Sequence, residues 1–425
     1  KGLISMIHQA RRPSLAWIAL LSCIAVPAFA QDGYDALVER LDRQEREIQA
    51  LREEVKQLRE HGAPPPEHPE YRRDDGETPL TDYENPRIRL DIAGQVNQAF
   101  TAAGDGNETK GYFVDNDASG SRMRFAGVAN FEQGPSVGST LEIAFSPNNS
   151  SAVSQDNETA GDLISVRRAE VWARDDRYGR VMFGRGSAAA DSTAEFDLTL
   201  VSGPIMTSGV SFVAGGLEFT TGDALSGISI GDAFFNFDGS RQNRVRYDSP
   251  MFGPAQVSLS AGSDQRYDAA ITFGGDYDHW TGIDLGPFTG LGAVSISNPN
   301  DDDTDYRAAG SWSMLHDDTG LSLTLSGGFD GGTGGDTPYS IYGKLGWDTN
   351  LVSFGPTGFG VDYGWTENHD AEGNQGQSVG VAAFFFNDTA TTEIYTQVRW
   401  FGLDRSERPQ LDDIYLGTVG TRIRF

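Results

Sequence analysis

The sequence predicts an all-β protein, a 16-stranded antiparallel transmembrane β-barrel preceded by an N-terminal α-helical coiled coil. Three observations carry this expectation. Apolar and polar residues alternate in short segments after Pro86, and an apolar repeat of about 3.5 residues precedes that point. No run of about 18 apolar residues, as a membrane-spanning helix needs, follows the first thirty. We divide the chain into residues 1–30, 31–60, 61–86 and 87–425.

Composition excludes several classes of protein. The 425 residues carry a net charge of -28, and 52 of them are glycine. An acidic disordered tail would contain few aromatic residues, whereas this chain has 11%. The charge also excludes general nucleic-acid binding, which needs a basic surface. The single cysteine, Cys23, excludes a disulfide scaffold and a cysteine metal site, and we predict no cofactor and no metal site.

Residues 1–30 have the order of a secretory signal peptide. Lys1, Arg11 and Arg12 precede an apolar stretch that begins at Leu15. The stretch ends in the small-residue pattern Ala28-Phe29-Ala30. About 12 apolar residues are too few to cross a bilayer as a helix, so the segment predicts export rather than an anchor.

Residues 31–60 carry a heptad repeat, which predicts a coiled coil. One amphipathic helix folded onto its own domain is the alternative, although the stripe is narrow for that. The heptads do not settle the number of helices. The seam positions alternate in steps of three and four: Tyr34, Leu37, Leu41, Gln44, Ile48, Leu51, Val55 and Leu58. Six prolines then make residues 61–86 a semi-rigid spacer.

Residues 87–425 alternate with a period of two, as in Ile88, Leu90 and Ile92. A soluble sandwich would pack such apolar faces together, whereas a transmembrane barrel turns them toward lipid. We count about sixteen segments, joined alternately by short turns such as 132–136 and long polar loops such as 148–162. This alternation of connection lengths favours the barrel, because only a closed barrel satisfies every strand backbone in lipid.

Two stretches carry a family resemblance. Residues 163–185 (LISVRRAEVWARDDRYGRVMFGR) and 241–253 (RQNRVRYDSPMFG) resemble strands of the trimeric general porins of Gram-negative outer membranes. The heptads are similar to those of periplasm-extended trimeric porins, which include dicarboxylate, sugar and phosphate channels. The resemblance implies a homotrimer in the bacterial outer membrane, with a three-stranded periplasmic stalk. The apolar faces would contact outer-membrane lipid, and acidic runs such as Asp301-Asp302-Asp303 could contact lipopolysaccharide through divalent cations or could simply be solvated external loops.

Arginines on the polar side of the strands are the candidate pore residues. Strand parity points five of them into the lumen: Arg122, Arg124, Arg168, Arg244 and Arg246. In the porins that this chain resembles, the loop after the fifth strand folds inward and narrows the channel. The resemblance implies that residues 186–211 do so here. In that constriction three acids would face the arginines and Arg185: Asp191, Glu195 and Asp197.

These residues predict passive diffusion of small hydrophilic solutes, with a preference for anions such as dicarboxylates. A sugar- or phosphate-selective channel remains an alternative. The arginines could instead only solvate the lumen and pair with barrel acids such as Glu142 and Glu170.

Other classes of function have weaker support. Among the barrel histidines His279, His316 and His369, none lies in a nucleophile motif, so we do not expect an enzyme. A non-conducting tether or adhesin stays open. Residues 387–396 (NDTATTEIYT) are similar to the translation of a common sequencing adapter and carry no functional argument.

Overall fold

A computed structural model describes the protein from residue 88 to residue 425. The ranges left undescribed within that span are 132–133, 162, 277–286, 301–303, 333, 354, 388–389 and 407–408. The expected signal peptide (1–30), coiled coil (31–60) and proline-rich spacer (61–86) lie outside the described residues.

The described residues form mainly β-strands. The strands of the first half are β1 (Ile88–Gly104), β2 (Thr109–Asp115), β3 (Arg122–Asn130), β4 (Ser136–Ala144), β5 (Ser165–Asp175), β6 (Gly179–Ser187), β7 (Glu218–Thr221), β8 (Ala224–Ser229), β9 (Arg241–Asp248) and β10 (Ala255–Gly262). Those of the second half are β11 (Tyr267–Asp276), β12 (Phe288–Asn298), β13 (Tyr306–His316), β14 (Leu321–Gly331), β15 (Tyr339–Val352), β16 (Gly355–Glu367), β17 (Gln375–Asn387), β18 (Thr392–Asp404) and β19 (Ile414–Arg424). One short helix, α1 (Ile230–Ala233), follows β8.

These strands close into an antiparallel barrel. Strand β1 pairs along one edge with β19 and along the other first with β2 and then with β3. Strands β2 and β3 therefore share one place in the wall. The described strands fill sixteen places, and β7 and β8 pair only with each other, outside the wall. The predicted 16-stranded barrel is confirmed. None of the described helices is long and apolar enough to span a membrane.

Side chains alternate between an exposed apolar face and a buried polar face. On β18, Val398 is 66% exposed, whereas the neighbouring Gln397 and Arg399 are each 2% exposed. A sandwich would bury its apolar face, so this inverted pattern rules that alternative out. The outer face of the barrel is therefore apolar and the inner face is polar.

Connection lengths mostly alternate as the sequence predicts, with the short connection 263–266 between β10 and β11 as an exception. Residues 176–178 join β5 to β6, and residues 317–320 join β13 to β14. At the opposite end of the strands, residues 145–164 join β4 to β5 and residues 405–413 join β18 to β19. We call these two ends the turn end and the loop end.

The main hydrophobic core lies inside the barrel, around the long connection between β6 and β9. We call residues 188–240 the pore segment; it contains β7, β8 and α1. Side chains such as Val201, Met206, Phe219 and Ile230 are completely buried. They form one cluster with inward side chains of β1, β2, β15 and β17–β19. The expected inward loop of 186–211 is therefore the first half of a longer internal structure.

Candidate functional site

Small inward side chains receive the backbone of the pore segment. Ser311 and Ser313 on β13 accept hydrogen bonds from Phe196 N at 2.8 Å and Leu198 N at 3.0 Å. Ser311 Oγ also donates to Thr193 O at 2.7 Å. A buried backbone that left its N–H groups unpaired would be costly, so these serines allow irregular chain to lie against the wall.

Glycines on β16 provide the space that the pore segment fills. A Cβ at Gly360 would lie 2.8 Å from Met206 Sδ and 2.8 Å from a Val201 methyl carbon. At Gly358 it would lie 2.9 Å from Leu200 Cβ. Only glycine permits this close approach of segment to strand.

Asp197 pairs with a lysine rather than with the arginine row. Its carboxylate lies 2.5 Å from Lys344 Nζ on β15, and both side chains are buried. The resemblance implied that Asp197 would face the arginines, but this acid is already neutralised at the opposite wall. It anchors the pore segment and presents no free charge to the lumen.

Asp191, Glu195 and Asp238 lie near one another on the pore segment. Glu195 accepts a hydrogen bond from Asn236 Nδ2 at 3.2 Å. Asp238 accepts from Ser192 N at 2.6 Å and Ala194 N at 2.8 Å. Burial and the nearby Asp191 carboxylate raise the pKa of Glu195. Burial and the Glu195 carboxylate raise the pKa of Asp238 well above its usual range.

The cross-strand register places five predicted arginines on the inner face. Arg122 pairs with the buried Gln95, and Arg124 pairs with the buried Glu142. Glu170 pairs with Gly184, and Gly184 pairs with the buried Arg244, so these residues also lie on the inner face. On the inner face of β3, β5 and β9 lie Arg122, Arg124, Arg168, Arg244 and Arg246.

Arg185 does not belong to this row. It lies two residues from Phe183 and four from Val181, which are 64% and 47% exposed on the outer face of β6. The Arg185 Nε donates to Val166 O at 2.9 Å, near the loop end. Strand parity therefore turns this side chain away from the lumen, and we leave it out of the constriction.

A β-bulge brings in an arginine that alternation did not indicate. Glu142 pairs with Arg168, but the next residue of β4, Ile143, pairs with Val166. Arg167 is thus the extra residue of the bulge. Its Nε lies 2.8 Å from Glu142 Oε1, on the inner side with Arg168. Consecutive strand residues normally face opposite ways, so alternation alone would leave Arg167 on the outer face.

Two of the arginines serve mainly to hold the structure. Arg244 Nη2 lies 2.5 Å from Glu170 Oε2, and both side chains are buried. Arg246 pairs with Asp248 at 2.7 Å and donates to Ala188 O at the start of the pore segment. The pairing with barrel carboxylates that we kept as an alternative describes Arg244 well.

Other arginines keep surplus charge in the lumen. Arg124 and Arg167 share the single carboxylate of Glu142, at 2.6 Å and 2.8 Å. Among the described residues, Arg122 and Arg241 have no carboxylate within 4.0 Å. Arg241, which the sequence analysis did not single out, lies within electrostatic range of Asp191, Arg167 and Arg168. It is the first residue of β9 and has the parity of the outward-facing Val245, so only its charged neighbours place it near the lumen arginines.

Comparison with known proteins decides the family. The family model described as Gram-negative porin matches residues 82–405. The chain belongs to the Gram-negative porin family. No curated protein matches this porin.

Solved structures share the porin fold at low sequence identity. An anion-selective porin from Comamonas acidovorans is 13% identical, with a TM-score of 0.50 over 80% of this chain and 100% of that chain. Salmonella typhi OmpF in complex with daunomycin is 11% identical, with a TM-score of 0.51 over 80% and 98%. The outer-membrane channel DcaP of Acinetobacter baumannii is 10% identical, with a TM-score of 0.50 over 80% and 97%. These identities support the fold alone.

The family and the barrel place this porin in the bacterial outer membrane. Its exposed apolar outer face fits a membrane, because lipid tails cover this face in place of a second layer of protein. The pore segment lies inside the lumen between two unlike surfaces. One is the serine- and glycine-lined wall to which it is bonded, and the other carries the surplus arginines.

Proposed function

We propose that this porin is a water-filled channel for passive diffusion of small hydrophilic solutes and that it favours anions. One observation supports this most directly: the inner face of β3–β5 carries more cations than the nearby acids neutralise. Arg122, Arg124, Arg167 and Arg168 lie there with Glu142 and Glu170. Glu170 is already paired with the buried Arg244.

This local excess opposes the charge of the whole chain, which is -28. A solute in the lumen responds mainly to nearby groups, because charges more than about 10 Å away are largely screened at 0.1 M salt. The arginines also remain accessible to water. The side chains of Arg124 and Arg168 are 45% and 32% exposed although both point inward.

The selectivity for anions is expected to be moderate. An exposed charge contact in water contributes about 1 kcal/mol at 4 Å, which is several-fold in permeability. Asp191 and Glu195 on the pore segment oppose the arginines, so the solute crosses a transverse field. Such a field orients dipolar solutes and selects by sign without holding them tightly.

Reversal potentials in planar bilayers test the proposal. With the purified full chain and a tenfold KCl gradient, we expect a potential of the sign that marks chloride as the more permeant ion. Preference for potassium would overturn it. A barrel sealed by the pore segment would pass no current and give no swelling of solute-loaded liposomes, which would favour a tether or adhesin instead.

We also propose that the protein acts without catalysis and as a homotrimer. His316 is bonded to Thr319 within its own turn, and His369 packs against Phe235 and Phe237, so neither described histidine activates a nucleophile. The heptads of residues 31–60 supply a seam for oligomerisation, and the family resemblance favours three helices. We expect the mass of the detergent-solubilised protein to be that of three chains, and to fall when residues 31–60 are deleted. The outer band would contact lipid, and the loop end would contact lipopolysaccharide.

A further inference from the structure

The arginine that parity turns away from the lumen lies at the loop end of the outer face. Arg185 is exposed and stands two residues before the end of β6. Its Nε donates to Val166 O, but its two Nη groups donate to no acceptor among the described residues. No described carboxylate lies within 4.0 Å of it. A cation on the lipid-facing side of a barrel strand is tolerated best near the membrane surface, and its counter-charge has to come from outside the chain.

A hollow in the apolar outer face begins directly beside Arg185. Ala169 on β5 is a cross-strand partner of Arg185 and lines this hollow of about 490 Å³. A second hollow of about 580 Å³ continues it toward the turn end. The residues that line both hollows are Gly127, Ser139, Val171 and Phe183. We call the two hollows together the outer groove, which crosses strands β3–β6.

Small side chains form the floor of the outer groove, and large ones form its sides. Gly127 and Ser139 are cross-strand partners, and a Cβ at Gly127 would meet only Ser139 Oγ, at 3.4 Å. Phe183 and Val171 lie beside this floor and are 64% and 55% exposed. The groove follows residues 169–173 of β5, which is about 13 Å at 3.3 Å per residue. A narrow apolar groove of this length fits one extended hydrocarbon chain.

We propose that the outer groove binds a phosphorylated glycolipid of the outer leaflet, the lipid A part of lipopolysaccharide. This inference rests on the lipid contact proposed above, names the surface and the lipid, and does not depend on the anion preference. Long connections of such barrels face the cell exterior, so Arg185 meets the outer leaflet.

The groups beside the groove match such a lipid. A guanidinium can donate two parallel hydrogen bonds to a phosphate, and the Nη groups of Arg185 are available for them. Asn243, the other cross-strand partner of Arg185, is exposed on the same face and offers an amide donor. With the phosphate at Arg185, one acyl chain would lie over Gly127 toward the turn end. The apolar sides of the groove would then replace neighbouring lipid tails.

Native mass spectrometry of the detergent-solubilised full chain counts the bound lipid. With lipid A added, we expect one lipid A per chain, and weaker binding of phosphatidylethanolamine, whose net charge is zero. Arg185→Gln removes a cation that has no ion pair in the described protein, so the barrel should fold. We expect it to raise the dissociation constant of lipid A roughly tenfold. Unchanged binding in this variant, or equal binding of lipid A and either phosphatidylethanolamine or phosphatidylglycerol, would overturn the proposal.

Gly127→Leu fills the outer groove without altering Arg185. We expect it to weaken lipid A binding several-fold while conductance and chloride preference keep their wild-type values. Gly343→Leu is the matched control, because it adds the same side chain to the outer face of β15, where a Cβ would lie 3.7 Å from Leu325 Cδ2. An equal loss of lipid A binding in Gly343→Leu would overturn the assignment to the groove.

The mass of the solubilised protein separates a lipid site from a contact between subunits. We expect Arg185→Gln and Gly127→Leu to keep the wild-type mass. A lower mass in either variant would assign the outer groove to a second copy of the chain and overturn the lipid site. A chloride-selective channel that binds no lipid A would reject the lipid site and leave the proposed function standing. Preference for potassium would reject the proposed function, whereas bound lipid A would still support the groove.

Discussion

Lys344 on the inner face of β15 and Asp197 on the pore segment form a buried ion pair, with 2.5 Å between Nζ and Oδ2. The same ammonium donates to Met206 O at 2.9 Å. One side chain of β15 thus holds the pore segment at two places nine residues apart in sequence. This pair fixes the segment against the wall opposite the arginines, and so helps set the width of the channel.

We expect Lys344→Met to release the pore segment. Removal of one partner leaves the Asp197 carboxylate buried without a counter-charge, a change that costs about 3–5 kcal/mol in buried pairs. Limited proteolysis of the folded barrel should then cut within residues 188–240, and single-channel current should become noisier. Arg89→Gln, which breaks an exposed pair with Asp91, should do neither. A protease-resistant Lys344→Met segment would contradict this role.

Anion preference should increase as pH falls. The pKa values of Glu195 and Asp238 are raised, chiefly by burial, so both carboxyls take up protons at a higher pH than free acids do. Because these two pKa values are raised in the folded protein, the protonated carboxyls favour the folded state at low pH. That contribution to the free energy of unfolding is lost as pH rises through the pKa values of the folded protein. Reversal potentials between about pH 8 and about pH 5 should therefore shift toward chloride. Glu195→Gln should reduce the shift, and an unchanged shift would assign it to other groups.

Gly360→Val should displace the pore segment from β16. Valine suits a strand, but its Cβ would lie 2.8 Å from Met206 Sδ and from a Val201 carbon. Overpacking of this kind costs about 1–3 kcal/mol. We expect a lower thermal midpoint and a changed single-channel conductance. Gly343→Ala on the outer face of β15 is the control, since the nearest atom there is Leu325 Cδ2 at 3.7 Å.

His369 should make the loop end sensitive to acid. Its ring packs 5.5 Å from Phe235 and 5.7 Å from Phe237, and burial lowers its pKa. Asp370 and Asp330 favour the charged imidazole and Arg307 opposes it, but burial has the largest effect. Because the pKa of His369 is lower in the folded protein than in the unfolded chain, the neutral ring stabilises the fold above about pH 6.5. That contribution is lost as pH falls through the pKa of His369 in the folded protein.

Hydrogen exchange measures this effect. Amides of residues 234–238 and 368–374 should exchange faster at about pH 5 than at about pH 7, after correction for intrinsic rates. His369→Phe keeps an aromatic ring without a titrating group, so its exchange should lose the pH dependence. The same dependence in His369→Phe would place the acid-sensitive group elsewhere.

The barrel could be predicted because its signal is local. Alternation along each strand reports which side faces lipid, and Ile92, Val398 and their counterparts are exposed as expected. Parity also places Arg122, Arg124 and Arg168 on the inner face, since the β3 pairs are regular and Arg168 forms the last regular pair before the bulge. These inferences needed only the period of two.

The pore constriction was less accessible to sequence reasoning. Arg167 faces inward because of a bulge, and a bulge is set by pairing with β4 rather than by the residues of β5 alone. Lys344 lies about 150 residues after Asp197, and no spacing rule joins two residues so far apart. Arg185 was assigned through family likeness, whereas its own parity with Phe183 already pointed outward.

The seam between β1 and β19 governs how the porin can be assembled. Ten residue pairs, from Gln95–Arg424 to Gly104–Tyr415, join the first wall strand to the last. Until β19 has been inserted, β1 presents an unsatisfied edge, which the hydrocarbon interior penalises heavily. A polypeptide that lacks β19 would therefore leave the barrel open along β1, so closure has to wait for the last strand of the chain.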